Sequence, residues 1–181
     1  TCDQYNLSVS RYHAHMGFRT KDNNRSARFQ EIVSGVSQVD WKMFNDIKWD
    51  QQLPKDHIFI RSMQNAFNLD PKKYPEIADA IEVVGKWNYN MGPDNLQAAF
   101  VYATTQKIMK WVGRRGDAVE DGLYVSDALW VDAITRTREE FLRHFGKLEL
   151  PYGQVQTFKR GEKEVGLGGI PDVLAAAASE W

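Results

Sequence analysis

Residues 74–87, YPEIADAIEVVGKW, decide the fold class. Ile77, Ile81, Val84 and Trp87 recur with a helical period, and Pro75 falls in the first turn, where its missing N–H costs nothing. The spacing predicts an amphipathic helix whose apolar stripe needs other helices to cover it. Just downstream, Asn90-Met91-Gly92-Pro93-Asp94 reads as a turn. Leu96 to Val112 then runs apolar nearly all the way round, which predicts a helix buried on several sides. After a charged, glycine-bearing loop over 113–122, a long helix opens near Ser126. Its line is Trp130, Ile134, Phe141, Phe145 and Leu148.

Working back toward the start, a helix from about Asp56 carries Phe59, Met63 and Ala66 up to Asp70-Pro71. A shorter one from Asp40 puts Trp41, Phe44 and Ile47 on one face. The first follows the cap-like cluster Asp22-Asn23-Asn24 and presents Phe29, Ile32, Val33 and Val36 before Gly35 and the residues after it end the pattern. Beyond Gly146 the pattern changes: Leu150-Pro151-Tyr152-Gly153 breaks the helix, and Gln154–Lys159 alternates like a short strand. The remainder, rich in glycine up to Pro171, looks unsuited to folding by itself and is expected to lie over another surface. The expected class is therefore mainly α, with a lead-in segment over 1–23, a helical domain over 24–149 and an extended return segment over 150–181.

The chain has 181 residues, 23 Lys+Arg against 24 Asp+Glu, 43% apolar residues and one cysteine. A net charge of −1 gives no basic excess for phosphate or headgroups, so neither a nucleic-acid nor a membrane partner is expected. Cys2 alone closes no intrachain disulfide. No apolar run approaches the ~20 residues that cross a bilayer, and the start lacks the basic flank and apolar centre of a signal peptide. There is no initiator Met, so the chain is expected to be processed or a piece of something longer.

Residues that could carry chemistry are few. His13 and His15 share one side of a strand if the segment is extended, but Asp3 is the only nearby carboxylate and the ligand count falls short. A small metal-dependent enzyme built on these two is the weakest of three readings, and no metal site is expected. His57 beside Asp56 and His144 in a last helical turn have local explanations. There is no GxSxG elbow, and Cys2 has no evident basic partner. Gly166, Gly168 and Gly169 lack the strand-before, helix-after context of a phosphate loop. The pairs Glu139/Glu140 and Glu162/Glu164 read as solvated faces. Arg25 is the exception, because a cation in the first turn of a helix opposes the macrodipole unless something outside the helix requires its guanidinium.

Four stretches then carry a family likeness: DNNRSARFQEIV (22–33), VDWKMFNDIKWDQQLP (39–54), LDPKKYPEIADAIEVVGKWN (69–88) and LPYGQVQTFKRGEKEVGLGGIPDVL (150–174). In this order they resemble the middle of the β-subunit of penicillin acylase (penicillin amidase) family enzymes, on the branch with acyl-homoserine-lactone and aculeacin acylases. The resemblance implies an N-terminal nucleophile hydrolase acting on linear amide bonds. In such an enzyme a freed α-amino group, with a pKa near ~8, activates the hydroxyl of its own Ser. It also implies an αββα core with helical insertions, of which this chain would be one, with its return segment packed on that core.

By the same resemblance the nucleophile and the oxyanion Asn lie upstream of residue 1, and the closing strands beyond Trp181. The fragment alone is then catalytically incomplete, with no catalytic residue, cofactor or metal of its own. Arg25 matches an arginine that supports active-site geometry from a helix start. Calcium is possible in the parent, but Asp3 does not match the spacing of that site. The implied partners are the rest of the acylase (α-subunit and β-subunit core) and, for the parent, a small acyl amide such as a β-lactam, homoserine lactone or lipopeptide. The implied place is the periplasm or outside the cell. The alternative is a stand-alone helical module that binds a protein through its aromatic-rich faces.

Overall fold

The computed structural model describes residues 24–55, 58–113 and 125–170, and the chain divides into two units, Thr1–Lys55 with Gly169–Trp181 and Asp56–Gly168. The expectations for the lead-in segment, His57, the 114–124 loop and the last eleven residues lie outside the described residues. What is described is mainly helical, with one small antiparallel sheet.

The first unit holds α1 (Asn24–Val33) and α2 (Trp41–Lys48). Gly35, at φ 79, takes the left-handed conformation that ends α1. Asp40 caps α2 by accepting from the Met43 N–H at 2.7 Å. No residue of α2 is buried.

The second unit holds α3 (Ile58–Ser62), α4 (Gln64–Phe67), a 3-10 turn over Pro75–Ile77 leading into α5 (Ala78–Lys86), α6 (Ala98–Gly113), α7 (Asp127–Phe145) and a single turn, α8 (Tyr152–Val155). A hairpin of β1 (Thr157–Arg160) and β2 (Lys163–Gly166) follows. Ile77, Ile81, Val84 and Trp87 are all buried, as their spacing predicts. So are Phe100, Val101, Trp130, Ile134 and Phe141, with the Phe100 and Phe141 rings edge to face at 5.2 Å. Three threonines lie inside this core without cost, because each donates to the carbonyl one turn back: Thr104 to Phe100, Thr105 to Val101 and Thr137 to Ala133, at 2.8–2.9 Å.

Four sequence expectations need correction. The long-helix line expected to reach Leu148 stops at Phe145, because Gly146 takes the left-handed conformation (φ 69) there. The helix expected to run on through Met63 is two short ones: Met63, still in the right-handed region (φ −88, ψ 0), donates its N–H to the Ile60 carbonyl three residues back, and it is fully buried with its sulfur 3.4 Å from the Thr105 oxygen. Only the first turn of α6, Ala98–Val101, is buried all round; Tyr102 and Ala103 are half-buried, and Met109 and Trp111 near its end are exposed. The strand expected from Gln154 begins at Thr157, after the α8 turn. Its partner, Lys163–Gly166, comes from the stretch judged unable to fold. A two-residue connection with Gly161 at φ 62 joins them, the first-position glycine that a type II′ hairpin turn favours.

The segment after α7 is strapped to the segment before α6. Leu150 N–H donates to the Leu96 carbonyl, Tyr152 N–H to Asn95 and Gly153 N–H to Pro93, at 2.8–3.0 Å. The Gln97 amide adds a 2.7 Å bond to Glu149. Asn95 also caps α6, its Oδ1 accepting from the N–H groups of Gln97 (3.1 Å) and Ala98 (2.8 Å), while its Nδ2 donates to Asn88 at 2.9 Å. At the end of the strap Gly153 meets the base of the hairpin. A Cβ on Gly166 would stand 2.6 Å from the Gly153 carbonyl oxygen, and one on Gly153 would stand 3.1 Å from the Gly166 Cα. Only two glycines permit that approach.

Two stability outcomes follow. Gly166→Ala has backbone in its way and should lower stability by about 1–3 kcal/mol, whereas Gly85→Ala, with open space around its Cβ in α5, should raise it by a few tenths to about 1 kcal/mol. Urea unfolding of the two variants checks the opposite signs. Asn95→Ala should cost at least the ~1–2 kcal/mol of a lost cap, and hydrogen exchange should show the first turn of α6 losing protection before the rest of that helix.

Candidate functional site

Arg25 occupies the first turn of α1, part-buried, with its Nε atom buried. The charge network of the helix is built one turn later, on Arg28. Its Nε and one terminal nitrogen grip both oxygens of Asp50, at 3.0 and 2.9 Å, and its other nitrogen donates to Glu31 at 3.1 Å. The Asp50 carboxylate holds the Arg28 pKa above its ordinary value. Asp50 Oδ1 also accepts from the Gln52 N–H, and Glu31 from the Lys55 N–H, each at 3.2 Å. The fork therefore ties α1 to the chain leaving α2, a bidentate geometry that lysine could not reproduce. Sequence reasoning missed Arg28 because Asp50 lies 22 residues away; only the local Arg28–Glu31 spacing was legible.

Beside this network α2 presents an uncovered aromatic face. Trp41 is 80% exposed and Trp49 65% exposed, with Phe44 also exposed and edge to face with Trp41 at 5.6 Å. Lys48 lies 4.9 Å over the Trp49 ring.

In the second unit a shallow cleft of about 290 Å³ opens between α6 and α7. Lys107, Lys110, Trp111, Asp132, Arg136 and Glu140 supply its polar and aromatic lining. Most of its charge is answered internally: Lys107 meets Glu140 at 2.5 Å and Arg136 meets Asp132 at 2.9 Å. Among the described residues its lining holds no Ser, Thr, Cys or His. Tyr102 and Tyr152 lie edge to face at 6.2 Å. Burial pushes both phenols above their ordinary pKa, most strongly Tyr152, whose hydroxyl donates to Gln156 at 2.8 Å. They are structural phenols, kept neutral.

Within the second unit, the described residues singled out from sequence do not come together. Thr1, Cys2, Asp3, His13 and His15 lie outside the described residues. His144 is exposed at the end of α7, edge-on to Phe145. Glu139 and Glu140 part, the second pairing with Lys107 and the first facing solvent. Glu162 and Glu164 are exposed on the hairpin, and Gly166 closes β2 instead of opening a helix. Among the described residues no three His, Cys, Asp or Glu side chains cluster as a metal site, and no helix is long and apolar enough to cross a membrane. Trp130 Nε1 is buried with no acceptor among the described residues.

One pair should mark the acid limit of stability. Arg138 donates to Asp79 at 2.7 Å, and this bond, helped by the Ala80 N–H, holds the Asp79 carboxyl below its ordinary range. A folded pKa below the unfolded one contributes stability above pH ~4, and the contribution is lost as pH falls from ~4 toward the depressed value. Both side chains are partly in solvent, so the amount is about 0.5–1 kcal/mol. Arg138→Ala should flatten the acid side of a stability-against-pH curve by that amount and leave the slope above pH 6 unchanged.

Compared with protein-family profiles, with curated proteins and with solved structures, the chain matches none.

Proposed function

We propose that the chain is the helical insertion of a penicillin-acylase-like β-subunit, structural in role and catalytically incomplete by itself. The reading starts from the four resembling stretches and their order. One structural observation supports it: the return segment carries uncovered apolar side chains, Phe158 at 56% and Val165 at 59% exposed, with Val155 beside them, as a segment made to lie on a further domain would. In this reading Arg25 supports the parent's active site. The parent cleaves an acyl group from an amide with an N-terminal Ser, possesses the αββα core, and acts in the periplasm or outside the cell.

A second reading, a stand-alone helical binding module, has its own support. Leu150 and Tyr152 are buried, so the first part of the return segment is already covered.

The isolated chain should be inert toward phenylacetyl, phenoxyacetyl and long-chain acyl amides. The parent gene should encode a self-cleaving Gly-Ser or similar junction upstream of residue 1. Turnover by the isolated chain would overturn the incomplete-fragment reading. A parent without such a junction would overturn the acylase and leave the binding module.

A further inference from the structure

The hairpin has two unlike faces. Pairing is Phe158 with Val165 and Arg160 with Lys163, interleaved with Thr157–Gly166 and Lys159–Glu164. Cross-strand partners share a face and side chains alternate along each strand. One face therefore collects Phe158, Val165, Arg160 and Lys163. The other carries Thr157, Gly166 and the opposite charges of Lys159 and Glu164. Every residue of both strands is exposed.

The first face combines an apolar pair with two cations and no anion. Neither Arg160 nor Lys163 makes an ion pair among the described residues, although arginine and lysine elsewhere in this unit do, as at Lys107, Arg136 and Arg138. Two like charges directly opposite each other in a ladder are destabilising unless an anion lies between them. A two-stranded ribbon with nothing on either face is marginal in water. Yet this one is held firmly at its base by the Gly153–Gly166 contact and by the Leu167 N–H on the Gln156 carbonyl at 2.8 Å. The hairpin is thus positioned by its own fold and completed by something else.

We propose that the free edge of β1 receives an extended acidic and aliphatic polypeptide segment from outside residues 1–181 as a third strand, whose alternate side chains extend the Phe158/Val165/Arg160/Lys163 face. Strand addition supplies main-chain hydrogen bonds, and the period of two supplies the specificity. The added strand places an aliphatic side chain beside Phe158 and, two residues away, a carboxylate beside Arg160, on the face that Lys163 shares from across β1. Charge complementarity selects this occupant over a second copy of the chain, which would bring like charges together. The inference uses the hairpin alone and holds whether or not the chain belongs to an acylase.

The test uses the full 181-residue chain and two labelled nine-residue peptides with threonine at alternate positions. One carries Glu and Val in turn between the threonines, the other Lys and Val. The Glu peptide should raise anisotropy at low salt and weaken at high salt, and should shift the amide resonances of residues 157–166. The Lys peptide should do neither. Exchanging both cations (Arg160→Glu with Lys163→Glu) should weaken the Glu peptide at least tenfold and admit the Lys peptide. Phe158→Thr, which leaves the charges in place, should weaken the Glu peptide several-fold with the salt dependence retained, and it serves if the double exchange does not fold. Equal binding of both peptides, binding of neither, or indifference to the exchange would overturn the proposal. So would hairpin shifts produced by phosphatidylserine vesicles and not by peptide, or a sedimenting dimer whose hairpin resonances move with protein concentration.

Discussion

The second unit depends on one strip of backbone pairing, between residues 93–97 and 149–153. Helices α5, α6 and α7 have apolar stripes that would pack in more than one relative height along their axes. The strap removes that freedom, because three main-chain hydrogen bonds set the end of α7 against the beginning of α6 at a single offset. Asn95 joins this register to helix nucleation: its carbonyl takes the Tyr152 N–H while its side chain caps α6 and reaches Asn88. A buried backbone group left unpaired costs about as much as a lost hydrogen bond, so a slip of one residue would be penalised several times over. The buried threonines add no competing demand, since each is satisfied within its own helix.

The strap also determines what the hairpin can do. Gly153 ends the paired strip and is the residue against which Gly166 rests, so the ribbon inherits its position from the helices and not from contacts of its own faces. This separation leaves Phe158 and Val165 in solvent beside two cations that make no ion pair among the described residues. The α6–α7 cleft is the contrary case: two of its cations have carboxylates within reach, and little charge remains there to recognise a ligand. In the first unit the Arg28–Asp50 fork stabilises the helix pair without covering the aromatic face of α2.

Much of the helical layout was legible in the sequence. Ile77, Ile81, Val84 and Trp87 had a clear period, Ser126 preceded the long helix, and Gly146 stopped it with φ 69, because these features act over one or two turns. The strap was illegible for the opposite reason: its bonds join main-chain groups more than fifty residues apart, Leu150 to Leu96, Tyr152 to Asn95 and Gly153 to Pro93, and impose no side-chain pattern. The alternation over Gln154–Lys159 marked β1 in part, but β2 escaped because strand reading relies on contrast between a buried and a solvated face, and here every position is exposed. Its remaining trace was Gly161 between two runs of four. The break at Met63 coincides with its complete burial beside Thr105, a long-range packing contact that local periodicity does not register. Arg25 was noticed because its position opposed the helix dipole. Arg28 was passed over because its carboxylate partner was remote.

The exposed ribbon bears also on how the chain behaves at high concentration. A flat strand edge with open donors and acceptors is a template on which copies of one protein pair and grow into fibres. With Lys159 and Arg160 on β1, two copies approaching β1 to β1 would bring four positive side chains into one short stretch. The cations of this edge therefore act as a solubility guard, repelling the chain's own kind while leaving the edge open to an acidic strand.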